Sequence, residues 1–349
     1  MLTQSLNLNS SEMGRDDFAG KAGGVEKPKY DTLLNDNGPM LTDWTDEKTA
    51  AFQKKIMSFG HNLANTNLFT DEALIDLLKR HPSEKLDVCT MGAADHPMYP
   101  NKFRTGDFRD VPAEVLLEAA KAGAVWMNVR DAMNIHADYK LALDSMYGEL
   151  AEHTGNRAFN PRGSLLISSP VARVPYHFDK TETILWHVRG QKRMYLYPLT
   201  QKFIPDTAYE SVISNDLNDD LPYDASFDGE AEIIDIAEGT ALTWPLNMPH
   251  RVDNQTFCVS VTTEYSTRQS GAKNAAMLTN SVLRHKLGLN PSYENDGSLT
   301  RRTKSLMGRV LRKAKLTPEM KTDDYLVTFK IDPKSENYVV DVDPFERCF

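Results

Sequence analysis

Cysteine is scarce: the 349-residue chain holds 3, Cys89, Cys258 and Cys348, far apart and in no Cys-x-x-Cys or Cys/His spacing. That excludes a disulfide framework or a structural zinc finger and suits a reducing, cytoplasmic setting. No apolar run approaches the roughly 18 residues that a membrane span needs. The start, Met1 to Ser11, lacks a basic stretch followed by an apolar one, so neither export nor membrane insertion is expected. Basic side chains are outnumbered, 40 against 49 acidic ones for a net charge of −9, which speaks against a nucleic-acid coat. What remains is ordinary for a folded globular protein: 40% hydrophobic and 26% charged residues, enough for a sizeable core.

Residues 1–44 are rich in Asn, Ser, Gly and Asp and read as an arm, partly flexible. Thr45 can cap a helix carrying Phe52, Ile56 and Phe59 to Gly60, Thr70 can cap another that ends before Pro82, and a third is predicted from Pro112 to Gly123. Val125 to Val129 reads as a strand, and Leu143, Met146, Tyr147 and Leu150 mark a further helix. From Gly163 to Tyr265 the pattern changes to short strands, at 164–168, 184–188, 193–197, 232–236, 240–244 and 258–265, separated by turn residues such as Gly190 and Gly239. Strands this short and closely spaced predict a barrel or sandwich. Between Thr207 and Glu232 an acidic insertion reads as a solvated loop or a lid. Helices return after Gln269, the first with Ala275, Leu278 and Val282 on one face and Gly288 as its stop, and the segment Leu299 to Leu316 carries seven basic residues and no acidic one, either a solvated face or a contact for an acidic partner. The chain closes on a predicted strand pair, Tyr325 to Ile331 and Tyr338 to Val342.

Two His-x-Asp pairs occur, His136/Asp138 and His177/Asp179. Residues two apart diverge on a helix but share a face on a strand, so only the second pair, in an extended context after Val174-Pro175, can close on one metal ion. A third ligand from a distant strand would complete the two-histidine, one-carboxylate set of non-haem iron, and His250 is placed for it behind the run Gly239 to Pro249. Such a set leaves coordination positions open for a co-substrate and dioxygen. In the intervening hairpin, alternation puts Thr183, Leu185 and His187 on one face and Lys192, Met194 and Leu196 on the matching one. If that face looks inward, Lys192 carries an ammonium into an apolar interior, which is costly unless a carboxylate meets it.

At these residues the chain resembles the JmjC-type and cupin-like iron(II)/2-oxoglutarate oxygenases, most closely the asparaginyl hydroxylase type that acts on hypoxia-inducible factor. His177-Phe-Asp179 followed by Lys192 fifteen positions after His177, the turn Gly190-Gln-Lys-Arg193, and the series Gly239, Pro245, His250 carry the resemblance, which covers about 124–265. It implies a mainly β fold with flanking α: a double-stranded β-helix (cupin, jelly-roll) core with N-terminal and C-terminal helices, as an oxygenase domain over 45–270 and a C-terminal extension over 271–349. It also implies Fe(II) on His177, Asp179 and His250, 2-oxoglutarate held by Lys192 with Thr183 and Leu166 lining its pocket, and dioxygen. The implied activity is hydroxylation of a protein or peptide side chain or a small molecule, with release of succinate and carbon dioxide. Relatives often form homodimers through C-terminal helices. Val174 departs from the pattern, standing where a hydroxyl residue is frequent, and Glu264 or a neighbour replaces an expected amide. A metal cupin without a keto acid, or a barrel that only binds, are the alternatives.

Overall fold

The computed structural model describes residues 38–91, 96–98, 103–214, 221–314, 316 and 326–347. The arm as far as residue 37, the acidic run 215–220, Lys315 and Cys348 lie outside the described residues. In chain order the strands are β1 (Met57–Gly60), β2 (Leu86–Met91), β3 (Phe103–Asp107), β4 (Trp126–Val129), β5 (Phe159–Ser168), β6 (Arg173–His177), β7 (Glu182–Arg189), β8 (Lys192–Leu196), β9 (Glu232–Ile236), β10 (Thr240–Thr243), β11 (His250–Asn254), β12 (Cys258–Ser266), β13 (Leu326–Ile331) and β14 (Val339–Glu346). The helices are α1 (Asp46–Ala51), α2 (Asp71–Arg80), α3 (Ala113–Ala122), α4 (Ala132–Ile135), α5 (Ala137–Thr154), α6 (Asp206–Ile213), α7 (Arg268–Leu287) and α8 (Ser298–Lys313).

Two sheets face each other. A ten-stranded sheet runs in the order β1-β10-β7-β12-β5-β4-β2-β3-β13-β14, and a four-stranded one in the order β6-β11-β8-β9. Alternation along β7 explains why one strand serves two cores. Ile184, Trp186 and Val188 point outward and pack with Leu143 and Met146 of α5. Leu185 points inward and packs with Leu242 and Trp244 against Met194, Leu196, Ile236 and Val252 from the small sheet. This apolar filling between two antiparallel layers is the double-stranded β-helix, helices covering its outer face. A third cluster, including Tyr176, Phe178, Tyr209 and Met277, ties α6 and α7 to the end of β6. At about 1.5–3 kcal/mol for each fully buried large side chain, these clusters are the main term holding the sheets together.

The β7–β8 turn depends on Gly190, whose φ is +89° and where a Cβ would sit 2.1 Å from the Phe257 carbonyl oxygen. At Gly308, α8 crosses α7 so closely that a Cβ would lie 1.8 Å from the Ala275 carbonyl oxygen. Thr279 Oγ1 donates to the Lys304 carbonyl at 2.7 Å across the same crossing.

Three expectations need correction. The helix read from Thr45 to Gly60 stops at Ala51: Gln53 turns the chain at φ +59°, and Met57–Gly60 pairs as a strand with β10, so the spacing of Phe52, Ile56 and Phe59 mimicked a helical period. The acidic stretch after Thr207 is no loop at its start, because α6 buries Tyr209, Val212, Ile213 and even Glu210. Glu210 meets Arg284 of α7 at 2.8 Å, a partner that local composition does not reveal. The strands β2, β3 and β11 are absent from the sequence reading; β11, His-Arg-Val-Asp-Asn, is too polar to announce itself. By contrast α2, capped by Thr70, and α7, ended by Gly288 at φ +63°, lie where their signals placed them.

Candidate metal centre

The antiparallel ladder between β6 and β11 sets His250 directly opposite His177, with ring centroids 4.2 Å apart. Asp179 follows the end of β6 and turns back toward both rings. His177 Nε2 lies 3.9 Å from Asp179 Oδ1, and His250 Nε2 lies 3.6 Å from Asp179 Oδ2. One donor atom from each of the three falls within 4.8 Å of the others. Among the described residues, it is the one such grouping of three His, Cys, Asp or Glu.

The donor set suits a divalent transition ion such as iron(II). His177 Nδ1 lies 2.8 Å from the Pro175 carbonyl oxygen and His250 Nδ1 lies 2.9 Å from that of Met248. A carbonyl only accepts, so each Nδ1 carries the proton and donates it, which leaves both Nε2 lone pairs facing the common point. Burial, with His177 beside it, holds the His250 imidazole well below its usual pKa and therefore neutral, the form that ligates.

The loop bearing Asp179 is fastened from behind by residues that the sequence reading did not single out. Asn247, at φ +63° and fully buried, donates from Nδ2 to the Asp179 carbonyl at 2.8 Å. Asn274 of α7 donates to the Lys180 carbonyl at 2.6 Å, and Tyr209 Oη of α6 bridges the two amides at 3.0 and 2.7 Å. No local signal marks Asn247 or Tyr209, because their task exists only once α6 and α7 dock.

Lys192 opens β8 opposite Asn254 of β11 and Ile236 of β9, and is only 3% exposed. Its ammonium has no ion pair or hydrogen bond among the described residues, and burial lowers its pKa below the usual 10.5. His187 shares the interior: its Nε2 meets the Gly190 carbonyl at 2.8 Å and its Nδ1 the Ser260 hydroxyl at 2.9 Å. Burial and the neighbouring Lys192 push its pKa down to about 3, so it stays neutral and adds no competing charge. Thr183 is buried on the same inward face as Leu185, and Leu166 of β5 packs against the inner apolar cluster opposite Ser260. The structure thus gathers His177, Asp179 and His250 at one point and puts Lys192, Thr183 and Leu166 on inward faces of the two sheets. It leaves His136 and Asp138 elsewhere, the first 3.0 Å from His81 and the second paired with Arg80.

No protein-family model matches the chain, and no curated protein matches it. Among solved structures, the chain is similar to Escherichia coli YcfD, at 16% identity over 80% of this chain and 70% of that one with a TM-score of 0.44. It is likewise similar to YcfD described as a ribosomal oxygenase in complex with cobalt and 2-oxoglutarate, at 15% identity over 79% of this chain and 68% of that one, again with a TM-score of 0.44. A likeness at this level decides neither activity nor substrate.

Proposed function

We propose that the protein is an Fe(II)- and 2-oxoglutarate-dependent oxygenase that hydroxylates a protein or peptide side chain or a small molecule. The observation that carries this reading is the convergence of two imidazoles and one carboxylate in a barrel that also buries an ammonium with no carboxylate partner among the described residues. His177, Asp179 and His250 would hold the ion, and Lys192 would take the distal carboxylate of 2-oxoglutarate. Bound iron(II), 2-oxoglutarate and dioxygen supply the chemistry: one oxygen atom enters a substrate C–H bond as hydroxyl, the other enters succinate, and carbon dioxide leaves. The chain's own share is positioning and the exclusion of water. Asn247 and Asn274 fix the Asp179 loop, while Leu185, Met194 and Trp244 line an interior that keeps water away. Thr183 and Leu166, on the inward faces, would form walls of the 2-oxoglutarate pocket.

Anaerobic addition of 2-oxoglutarate to the iron(II) protein is expected to produce a visible charge-transfer band, and aerobic incubation to form succinate without added substrate. Absence of both favours a cupin that uses no keto acid, or a barrel that only binds.

We further propose 45–270 as the catalytic unit, preceded by the arm and followed by the extension over 271–349. The free, buried thiols Cys89 and Cys258 support a cytoplasmic setting, and among the described residues no helix is long and apolar enough to cross a membrane. A homodimer through the extension is supported by α8, which exposes Leu299, Leu306, Met307 and Val310 in place of burying them. Light scattering is expected to give twice the chain mass, and Leu306→Asp with Val310→Asp to halve it; a monomer in the parent protein ends this part of the reading.

A further inference from the structure

Glu182 directly precedes Thr183 on β7, so alternation turns its side chain to the outer face of the large sheet, away from the metal centre. There it reaches a cleft of about 600 Å³ between the end of α1, α5, the start of β5 and the start of α7, within the range of small-molecule sites. Glu182 is only 5% exposed. Its Oε1 accepts from Thr267 Oγ1 at 2.5 Å, but Oε2 is buried with no hydrogen-bond partner. Gln53 Nε2, on the wall of the same cleft, is also buried without a partner. With Tyr147 Oη, also buried without a partner, three unmet polar atoms, donors and an acceptor among them, thus belong to residues that line one cavity, and each is costly to leave so.

The rest of the lining narrows the occupant. Tyr147 and Tyr265, edge to face at 5.5 Å, form an aromatic wall, and Phe159 stands at the cleft 75% exposed. Arg157 and Arg268 line it as exposed side chains, and neither forms an ion pair with Glu182. Negative charge therefore lies inside, positive charge at the exposed positions, and apolar surface between.

We propose that this cleft is a second ligand site, independent of the metal centre, for a zwitterion with an aromatic side chain: a free aromatic amino acid or a short peptide. The ligand's ammonium meets Glu182 Oε2, its carboxylate meets Arg157, Arg268 and the Gln53 amide, and its ring lies on the aromatic wall. Full-length protein without added metal is titrated calorimetrically with L-phenylalanine, the dipeptide Phe-Phe, N-acetyl-L-phenylalanine and L-phenylalaninamide. Saturable binding of a zwitterion is expected, with a roughly tenfold or greater loss when either charge is blocked, as befits hydrogen bonds to charged groups. Binding of the amino acid alone assigns a free metabolite, and of the dipeptide alone a peptide. Glu182→Gln should lose at least tenfold for both zwitterions. Should that variant fail to fold, Arg268→Ala decides: it should weaken the zwitterion and leave L-phenylalaninamide unchanged. No saturable binding at millimolar ligand, equal binding of the N-acetyl compound, or equal loss of both ligands in Arg268→Ala overturns the proposal.

Discussion

His250→Ala is expected to abolish tight iron(II) binding and with it succinate formation. The imidazole lies at the register position facing His177 and is 3% exposed, and among the described residues no further His, Cys, Asp or Glu joins the grouping to replace it. Loss of groups that merely orient a ligand already costs about 10–100-fold in affinity or activity, so loss of a ligand should exceed roughly 100-fold. Cobalt(II) titration followed by its visible absorption reads binding apart from turnover, and near-ultraviolet circular dichroism checks that the barrel still folds. A folded variant that binds cobalt(II) as tightly as the parent and turns over normally would remove His250 from the site.

Lys192→Met should have two effects of opposite sign. Truncating one partner of a buried charge pair costs about 2–5 kcal/mol, so the KM for 2-oxoglutarate should rise by at least about 30-fold. In metal-free protein, without co-substrate, the same change should be stabilising by about 1 kcal/mol or more in urea unfolding, because a buried ammonium lacking an ion pair among the described residues gives way to an apolar chain. The pH dependence follows the same physics. Since burial lowers the Lys192 pKa, the unfolded chain binds a proton that the folded one has released over the interval below 10.5, and stability gains with rising pH across that interval. The gain should vanish in Lys192→Met. Unchanged KM together with unchanged stability would place this side chain in solvent.

The parts of the molecule legible in the sequence are those where chemistry and period coincide. Lys192 sits in a strand whose alternation, Lys-Arg-Met-Tyr-Leu, puts the first, third and fifth residues inside, so its burial follows from the same count that buries Met194 and Leu196. His177 and Asp179 could be paired because two residues of extended chain share a face. His250 could be proposed, yet its strand could not, since β11 takes its hydrogen bonds from β6 and β8 on either side and needs no apolar run of its own. Glu210 shows the converse: an acidic side chain in an acidic stretch is read as solvated until Arg284, 74 positions away, is seen beside it. Asn247 and Glu182 were invisible for the same reason, because their roles are fixed by elements that meet only in three dimensions.

The large sheet does not finish where the barrel does. β13 lies parallel to β3 and carries β14 outward, so the edge of β3 is covered by residues synthesised more than two hundred positions later. During synthesis the barrel strands from β5 to β12 can therefore close while β3 still presents bare backbone donors and acceptors. The nascent protein passes through an interval in which its barrel is complete but one edge remains open to self-association, and β13 and β14, made later, act as its seal.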